Sequence, residues 1–250
     1  MINIVGMSPF PFEFSEIDIS GYIVIVVDVI NSTTTIAAAL YGGYKAVIPV
    51  RDIDEAFKLA KELNADLAGE NLGLDIEGFD FFNSPAYAFF NDKKREYLVL
   101  RTTNGTKAIS AFAHGNEVYT GALVNYKFVA RTVMDRAQKS GKNILIVAAG
   151  RLGKKALEDE LAAGFLASEF LDYDVKLDGM VKHFLHIYQT YSIEEAFSKS
   201  IYVNNALKTD DLMHKMDVFI SSKKNIFLVV PKLQKLKINS ATVLGFVNVF

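Results

Sequence analysis

The sequence predicts an α/β protein in which a mostly parallel or mixed central sheet is covered by helices. Two observations carry this: short β-branched runs alternate with stretches of helical period, and most of those runs are apolar on both faces, as strands between helix layers are. Size is the third. A chain of 250 residues buries roughly 70–75% of its unfolded surface, enough for one large core without extra staples.

The elements follow in order. YIVIVV at 22–27 reads as a buried strand and TTIAAALY after it as a helix; KAVIPV at 45–50 and IDEAFKLAKELN repeat the pair. ADLAG at 65–69 is a short strand that opens into a long glycine-containing loop, and YLVLR at 97–101 leads into the helical TKAISAFA. EVYT at 117–120 precedes VNYKFVARTVMDRAQ, and NILIVAA at 143–149 precedes KKALEDELAAGFLASEFL. Beyond residue 173 the texture changes to helical stretches near 177–190, 193–200 and 207–220, then one more strand, NIFLVVP at 225–231. The apolar tail VLGFVNV reads as a final edge strand. No Pro, Gly or Ser linker interrupts the chain, so residues 1–250 are expected to form a single domain, with 174–224 as a C-terminal helical subdomain or a late part of the same fold.

Composition excludes several classes of function. With 27 Lys and Arg against 29 Asp and Glu the net charge is −2, which suits neither nucleic acid nor an anionic membrane surface. The absence of Cys removes disulfides, thiolate metal sites and a cysteine nucleophile together. The N-terminal MINIVGMSPFPFEF has no basic leader, and its apolar stretch is broken by Ser8, Pro9, Pro11 and Glu13. No run approaches the ~20 apolar residues of a membrane helix. The expectation is a cytoplasmic protein with no nucleic-acid or membrane partner, and a homodimer on the base rate for soluble proteins.

Chemistry collects where strands end, which is where open α/β sheets bind ligands. The strand at 22–27 ends in DVINSTTT, that at 65–69 in GENLGLDIEGFDFFNSP, that at 97–101 in TTNGT, that at 117–120 in GALVN and that at 143–149 in GRLGKKALEDE. Acids, short polar residues and glycines together suit a metal held by oxygens beside an anion held by hydroxyls and backbone N–H groups. Asp28 stands at the lip of a buried strand, where it could also simply cap the next helix. Glu70, Asp75, Glu77 and Asp80 share a loop that Phe79, Phe81 and Phe82 should draw onto the body of the protein. Glu158 and Asp159 begin a helix, where the dipole alone favours them. Arg101, Lys107, Arg151, Lys154 and Lys155 flank these ends, and a cluster of both signs suits Mg²⁺-assisted chemistry on a small anionic phosphorylated substrate.

Other machines are absent. AAGRLGKK fails as a Walker loop at Ala148 and Lys155, and neither G-x-G-x-x-G nor G-x-S-x-G occurs. Position 30 is Ile, where an aspartyl-phosphate phosphatase places a second acid. His183 and His186 share a helical face but lack a third ligand, and His114 before Gly115 reads as a helix end.

DVINSTTTI, GENLGLDIEGFDFFNSP, RTTNGTKAI, TGALVN and AGRLGKKALEDELAAG resemble, in order and spacing, the 2-phosphosulfolactate phosphatase family over residues 28–164, and Asp217 with VVP at 229–231 resembles its C-terminal end. The resemblance implies a three-layer α/β/α architecture and a Mg²⁺-dependent phosphatase that converts 2-phosphosulfolactate to sulfolactate and phosphate in coenzyme M biosynthesis. It implies that Asp28, Glu70, Asp80 and Asp159 are metal ligands, with Asp28, Glu70, Glu158 and Asp159 as acid–base or nucleophilic groups. Thr33, Thr34, Thr103, Asn104 and Gly105 would cradle phosphate with Asn83 and Thr102, while Lys107 and Arg151 neutralise the acid end. The chain departs from the family pattern at Asn31 and Asn71, where Arg is expected, at Phe82 for Gly and at Lys107 for Arg. Lys and Asn cannot reproduce the bidentate grip of Arg. A divergent homologue that binds an anionic metabolite without hydrolysing it is the alternative reading.

Overall fold

The computed structural model describes residues 1–10, 19–113 and 116–250; Pro11, Glu13, His114 and Gly115, noted above, lie outside them. The both-face-apolar runs form the expected strands: β2 (Tyr22–Val27), β3 (Ala46–Val50), β4 (Asp66–Gly69), β5 (Tyr97–Arg101), β6 (Glu117–Gly121) and β7 (Asn143–Ala148). To these are added β1 (Ile2–Met7), β8 (Val175–Leu177), β9 (Pro231–Ile238) and β10 (Ala241–Asn248). All belong to one mixed sheet in the order β4-β5-β3-β10-β9-β6-β2-β7-β1-β8.

Several helices begin where the sequence provides a side-chain cap or an acidic first turn. In α2 (Ile53–Leu63) the Asp52 side chain accepts the Glu55 N–H and the chain leaves through left-handed Asn64. A capping box of Ser192 and Glu195 starts α8 (Ile193–Ser198). The others are α1 (Ser32–Tyr41), α3 (Pro85–Phe90), α4 (Gly105–Phe112), α5 (Tyr126–Ser140), α6 (Leu157–Ser168), α7 (Gly179–Thr190), α9 (Ile201–Lys208) and α10 (Leu212–Ser221).

Alternation along the strands assigns the layers. Val24, Val26, Val47, Leu98, Leu100, Leu145 and Val147 face one core with α1, α3, α4 and α10. The opposite face packs Ile23, Ile25, Ile144 and Ile146 against α5, α6 and α7, and Ala46, Ile48 and Val99 against α2. The result is helix, sheet, helix.

Strand direction reverses in the middle of the sheet. Three successive antiparallel pairings, β3 with β10, β10 with β9 and β9 with β6, make the β4-β5-β3 half run opposite to the β6-β2-β7-β1-β8 half. The seams are narrow, Phe246 opposite Val47 and Tyr119 opposite Lys232. In a flat sheet the carboxyl ends of the two halves would lie on opposite edges. Loops after β2, β4, β5 and β7 nevertheless line one cavity, so the sheet must curl strongly around its shared core.

Two expectations at the C-terminal end are corrected. Residues 225–230 form no strand: Asn225 and Phe227 donate their N–H groups to Leu123 and Val124 in the loop after β6, and the ladder starts only at Pro231. The tail is not an edge strand either. β10 lies in the sheet interior between β9 and β3, paired with β9 through a two-residue turn at left-handed Asn239.

Candidate active site

Four strand ends converge on a cavity of about 80 Å³, room for several water-sized spheres at ~10–15 Å³ each. Its wall carries Asp28 and Asn31 after β2, Glu70 and Leu72 after β4, Thr102, Thr103 and Asn104 after β5, and Arg151, Leu152, Glu158 and Asp159 after β7. The end of β6 contributes nothing: Asn125 uses its side chain on Ala122 N–H and Val229 C=O.

Asp28 is buried and does not cap α1. Its backbone carbonyl takes the Thr33 N–H, while its carboxylate accepts the backbone N–H of Gly105 at the start of α4. Burial, reinforced by Glu70 and Glu158, pushes its pKa up to about 8. Glu70 is held by Thr103: one oxygen takes the Thr103 N–H, and the other takes the Thr103 hydroxyl at 3.0 Å and the Gly73 N–H at 2.6 Å. Asp159 spans two loops, accepting Val29 N–H at 2.8 Å and Gly150 N–H at 3.0 Å. Burial, then Asp28 and Glu158, raise it well above the ordinary carboxylate range. Burial also raises half-buried Glu158, which bonds to the Ser200 hydroxyl. Arg151 lies close enough to both Asp28 and Glu158 to favour their charged forms.

The TTN segment ties two similar turns together. Asn71-Leu72-Gly73-Leu74 and Arg151-Leu152-Gly153-Lys154 each close through a bridge between first and last residues, with Leu and Gly both at positive φ. Leu72 N–H donates to Thr103 Oγ1 at 2.9 Å and Leu152 N–H to Asn104 Oδ1 at 3.0 Å.

Several expected residues stand elsewhere. Thr33 and Thr34 are sealed in the core, and their hydroxyls bond to Asp28 C=O and Val29 C=O, so they shape the turn and line no cavity. Lys107 is not on the cavity wall: it is Gly105, two residues earlier in α4, that lies against Asp28. Asp80 is also off the wall. Phe79 and Phe81 pack into the core clusters as expected, but Asp80 turns back to hold Leu67 N–H and meet Arg95, and Asp75 and Glu77 stay exposed. Arg101 donates to the carbonyls of Glu70 and Arg51. His183 pairs with Glu160 Oε2 at 3.0 Å. Asn83 and Thr102 do line the cavity, and Thr102 also caps Thr106. Ser200 and Tyr202 line it too, although they follow α8 and no local signal marks them.

Among the described residues no group of three acidic or histidine side chains is close enough to hold a metal unaided. The donors around the cavity are nonetheless all oxygens. Asn31 Oδ1 and Asn83 Oδ1 are buried without a hydrogen-bond partner, and the clustered carboxylates leave surplus negative charge. Such a set fits a small hard divalent cation better than a soft one.

Fold and site define an α/β protein with an acid-lined, oxygen-rich cleft between two opposed parallel half-sheets. The sequence profile of the family described as 2-phosphosulpholactate phosphatase matches residues 10–236. A protein of Caldanaerobacter subterraneus subsp. tengcongensis named "Probable 2-phosphosulfolactate phosphatase" is 33% identical, covering 89% of this chain and 92% of its own. Like-named proteins of Clostridium acetobutylicum and Clostridium perfringens are 30% and 32% identical, covering 88% and 85% of this chain and 93% and 86% of theirs. The chain belongs to the 2-phosphosulfolactate phosphatase family, a family of phosphoric monoester hydrolases.

Proposed function

We propose that the protein is a Mg²⁺-dependent phosphatase of small phosphorylated 2-hydroxy acids, with 2-phosphosulfolactate, the substrate in its relatives' names, as the first to test. The observation that carries this reading is the convergence of Asp28, Glu70 and Glu158 with Asn104, Gly105 and Arg151 around one small cavity. That substrate would yield sulfolactate and phosphate and place the step in coenzyme M biosynthesis.

Asp28, with Glu70 or Glu158 beside it, would hold the cation together with the amide oxygens of Asn31 and Asn83. When bound, Mg²⁺ neutralises phosphate charge and polarises the phosphoryl group. Arg151 orients the anion, Thr103 fixes Glu70 at both oxygens, and Asp159 holds the Asp28 loop against the Gly150 loop. The Gly105 N–H fixes one side of the Asp28 carboxylate at the reacting end of the cavity. Turnover of a substrate chiral at phosphorus separates direct attack by water, a single displacement that inverts the configuration, from attack by Asp28, whose two displacements retain it.

The test is phosphate release after chelation and after Mg²⁺ is restored. Release that needs Mg²⁺ supports the proposal. Equal release in chelator contradicts the metal assignment, and binding of the acids with no release favours a non-catalytic anion-binding homologue.

A further inference from the structure

Asp217 on α10 is fully buried and lies off the cavity wall, yet its hydrogen bonds lead back to that wall. One oxygen accepts the Ser84 hydroxyl at 2.6 Å and the Ala86 N–H at 2.9 Å, fixing the turn that enters α3 directly after Asn83. The other accepts the hydroxyl of Tyr202, on α9, at 3.5 Å, and the Tyr202 side chain lines the cavity. A carboxylate sealed from water is costly unless hydrogen bonds hold it, and here they tie α10 to two segments distant in sequence.

Between those segments stands Asn31. Its Nδ2 donates to the Asn83 carbonyl at 3.0 Å and to the Tyr202 hydroxyl, whereas its Oδ1 is buried with no hydrogen-bond partner, as is Asn83 Oδ1. The neighbours dictate that orientation. Burial raises the Asp217 pKa to about 6, so the carboxylate is ionised at neutral pH and only accepts. Tyr202 donates its one proton to Asp217 and offers its lone pairs to Asn31, and the Asn83 carbonyl also only accepts. Turned over, the Asn31 amide would set Oδ1 against that carbonyl oxygen. Its NH₂ end is therefore held by the protein and its Oδ1 end is left to the cavity, where a buried amide oxygen is disfavoured unless a ligand takes it.

We propose that Asp217 and Tyr202 are positioning residues that hold the Asn31 amide with Oδ1 towards the cavity and so set the affinity of the site for a hard divalent cation. This rests on the reading of the cavity as a cation-dependent phosphatase site and deepens it. Helices α9 and α10 complete a site whose amide oxygens come from the loops after β2 and β4.

The probe is Mn²⁺, which shares the oxygen ligands of Mg²⁺, titrated into the metal-free full chain and followed by electron paramagnetic resonance of the free ion. Tyr202→Phe keeps the ring that stacks on Phe82 and leaves Asp217 its Ser84 and Ala86 bonds. Its melting temperature should stay near that of the wild type while the Kd for Mn²⁺ rises about tenfold or more. Asp217→Asn should raise the Kd likewise, because its NH₂ faces Tyr202 and turns the phenol proton towards Asn31. In an Asn31→Ala background, Tyr202→Phe should change the Kd less than about twofold, since its effect passes through Asn31. The Mg²⁺ concentration for half-maximal phosphate release should rise in parallel with the Kd. An unchanged Kd in folded Tyr202→Phe overturns the positioning role, and so does an equal loss in the Asn31→Ala background, the mark of a merely structural contribution. A wild type that binds Mn²⁺ with the expected pattern but releases no phosphate supports this role and ends the phosphatase reading alone. A wild type that binds no Mn²⁺ ends the cation reading and this role with it.

Discussion

Gly105 lies so close to Asp28 that no side chain fits between them. A Cβ at residue 105 would sit 2.7 Å from Asp28 Oδ2 and 2.2 Å from Ser32 Oγ. The glycine is required by this close approach, which brings the first turn of α4 against the carboxylate and lets its N–H group and dipole favour the charged form. Gly105→Ala should push α4 away from Asp28, lower activity by about 100-fold and destabilise the protein by about 1–3 kcal/mol. Gly21→Ala, where nothing lies within 4 Å, is the control. Kinetics and thermal melts of the two variants check this.

Asp159 holds the loop that carries Asp28 through the backbone. Its oxygens accept Val29 N–H and Gly150 N–H, joining the ends of β2 and β7. Asp159→Asn can keep one bond but turns its own NH₂ on the other buried N–H, at a cost of about 2–3 kcal/mol. The expected outcome in melts and kinetics is a lower midpoint together with a kcat reduced about 10–100-fold.

Asp80 and Glu70 share a loop and should differ sharply. Glu70 is on the cavity wall, held at both oxygens, whereas Asp80 is half in solvent and serves Leu67 N–H and Arg95. Asp80→Asn keeps an oxygen for Leu67 and should leave kcat/KM within about threefold, while Glu70→Gln should lose about 100-fold or more. Steady-state kinetics of the pair checks the contrast.

The sheet seam makes stability sensitive to acid. Glu117 on β6 bonds to Arg136, Lys142 and Lys232, the last on β9 directly across the seam. Burial alone would raise its pKa, but Arg136 and Lys232, then Lys142, outweigh burial and bring it down to about 2. A carboxylate held below its unfolded value of 4.5 contributes stability that is complete above that pH and is lost as pH falls towards 2. Glu117→Gln should therefore lower stability at pH 7 by about 1–2 kcal/mol, since the partners are partly exposed, and the difference from wild type should shrink between pH 4.5 and 2. Denaturant titrations across that range measure it.

How far the sequence foretold this depended on local signals. β2 to β7 were legible because they are apolar on both faces. β9, PKLQKLKI, was not: its charged residues mimic a surface segment, and only the curled sheet explains why it sits mid-sheet with β10. Asp28, Glu70, Thr103 and Asn104 were legible because they directly follow buried strands. Thr33 and Thr34 carry no local signal that separates a phosphate contact from the turn they make, because a hydroxyl after a strand suits a ligand and a turn equally well. Ser200 and Tyr202 reach the cavity from beyond α8, by tertiary packing that no neighbouring residue announces.

The central claim is that the Asp28 cavity hydrolyses a small 2-phospho acid. Its most direct test is phosphate release from 2-phosphosulfolactate and 2-phospholactate, with Mg²⁺, by the wild type and by Asp28→Asn. The account predicts release by the wild type from at least one acid and loss of about 1,000-fold or more in Asp28→Asn, with melting unchanged or improved because a carboxyl crowded by Glu70 and Glu158 has been neutralised. Undiminished release by a folded Asp28→Asn, or none by the wild type, would contradict it.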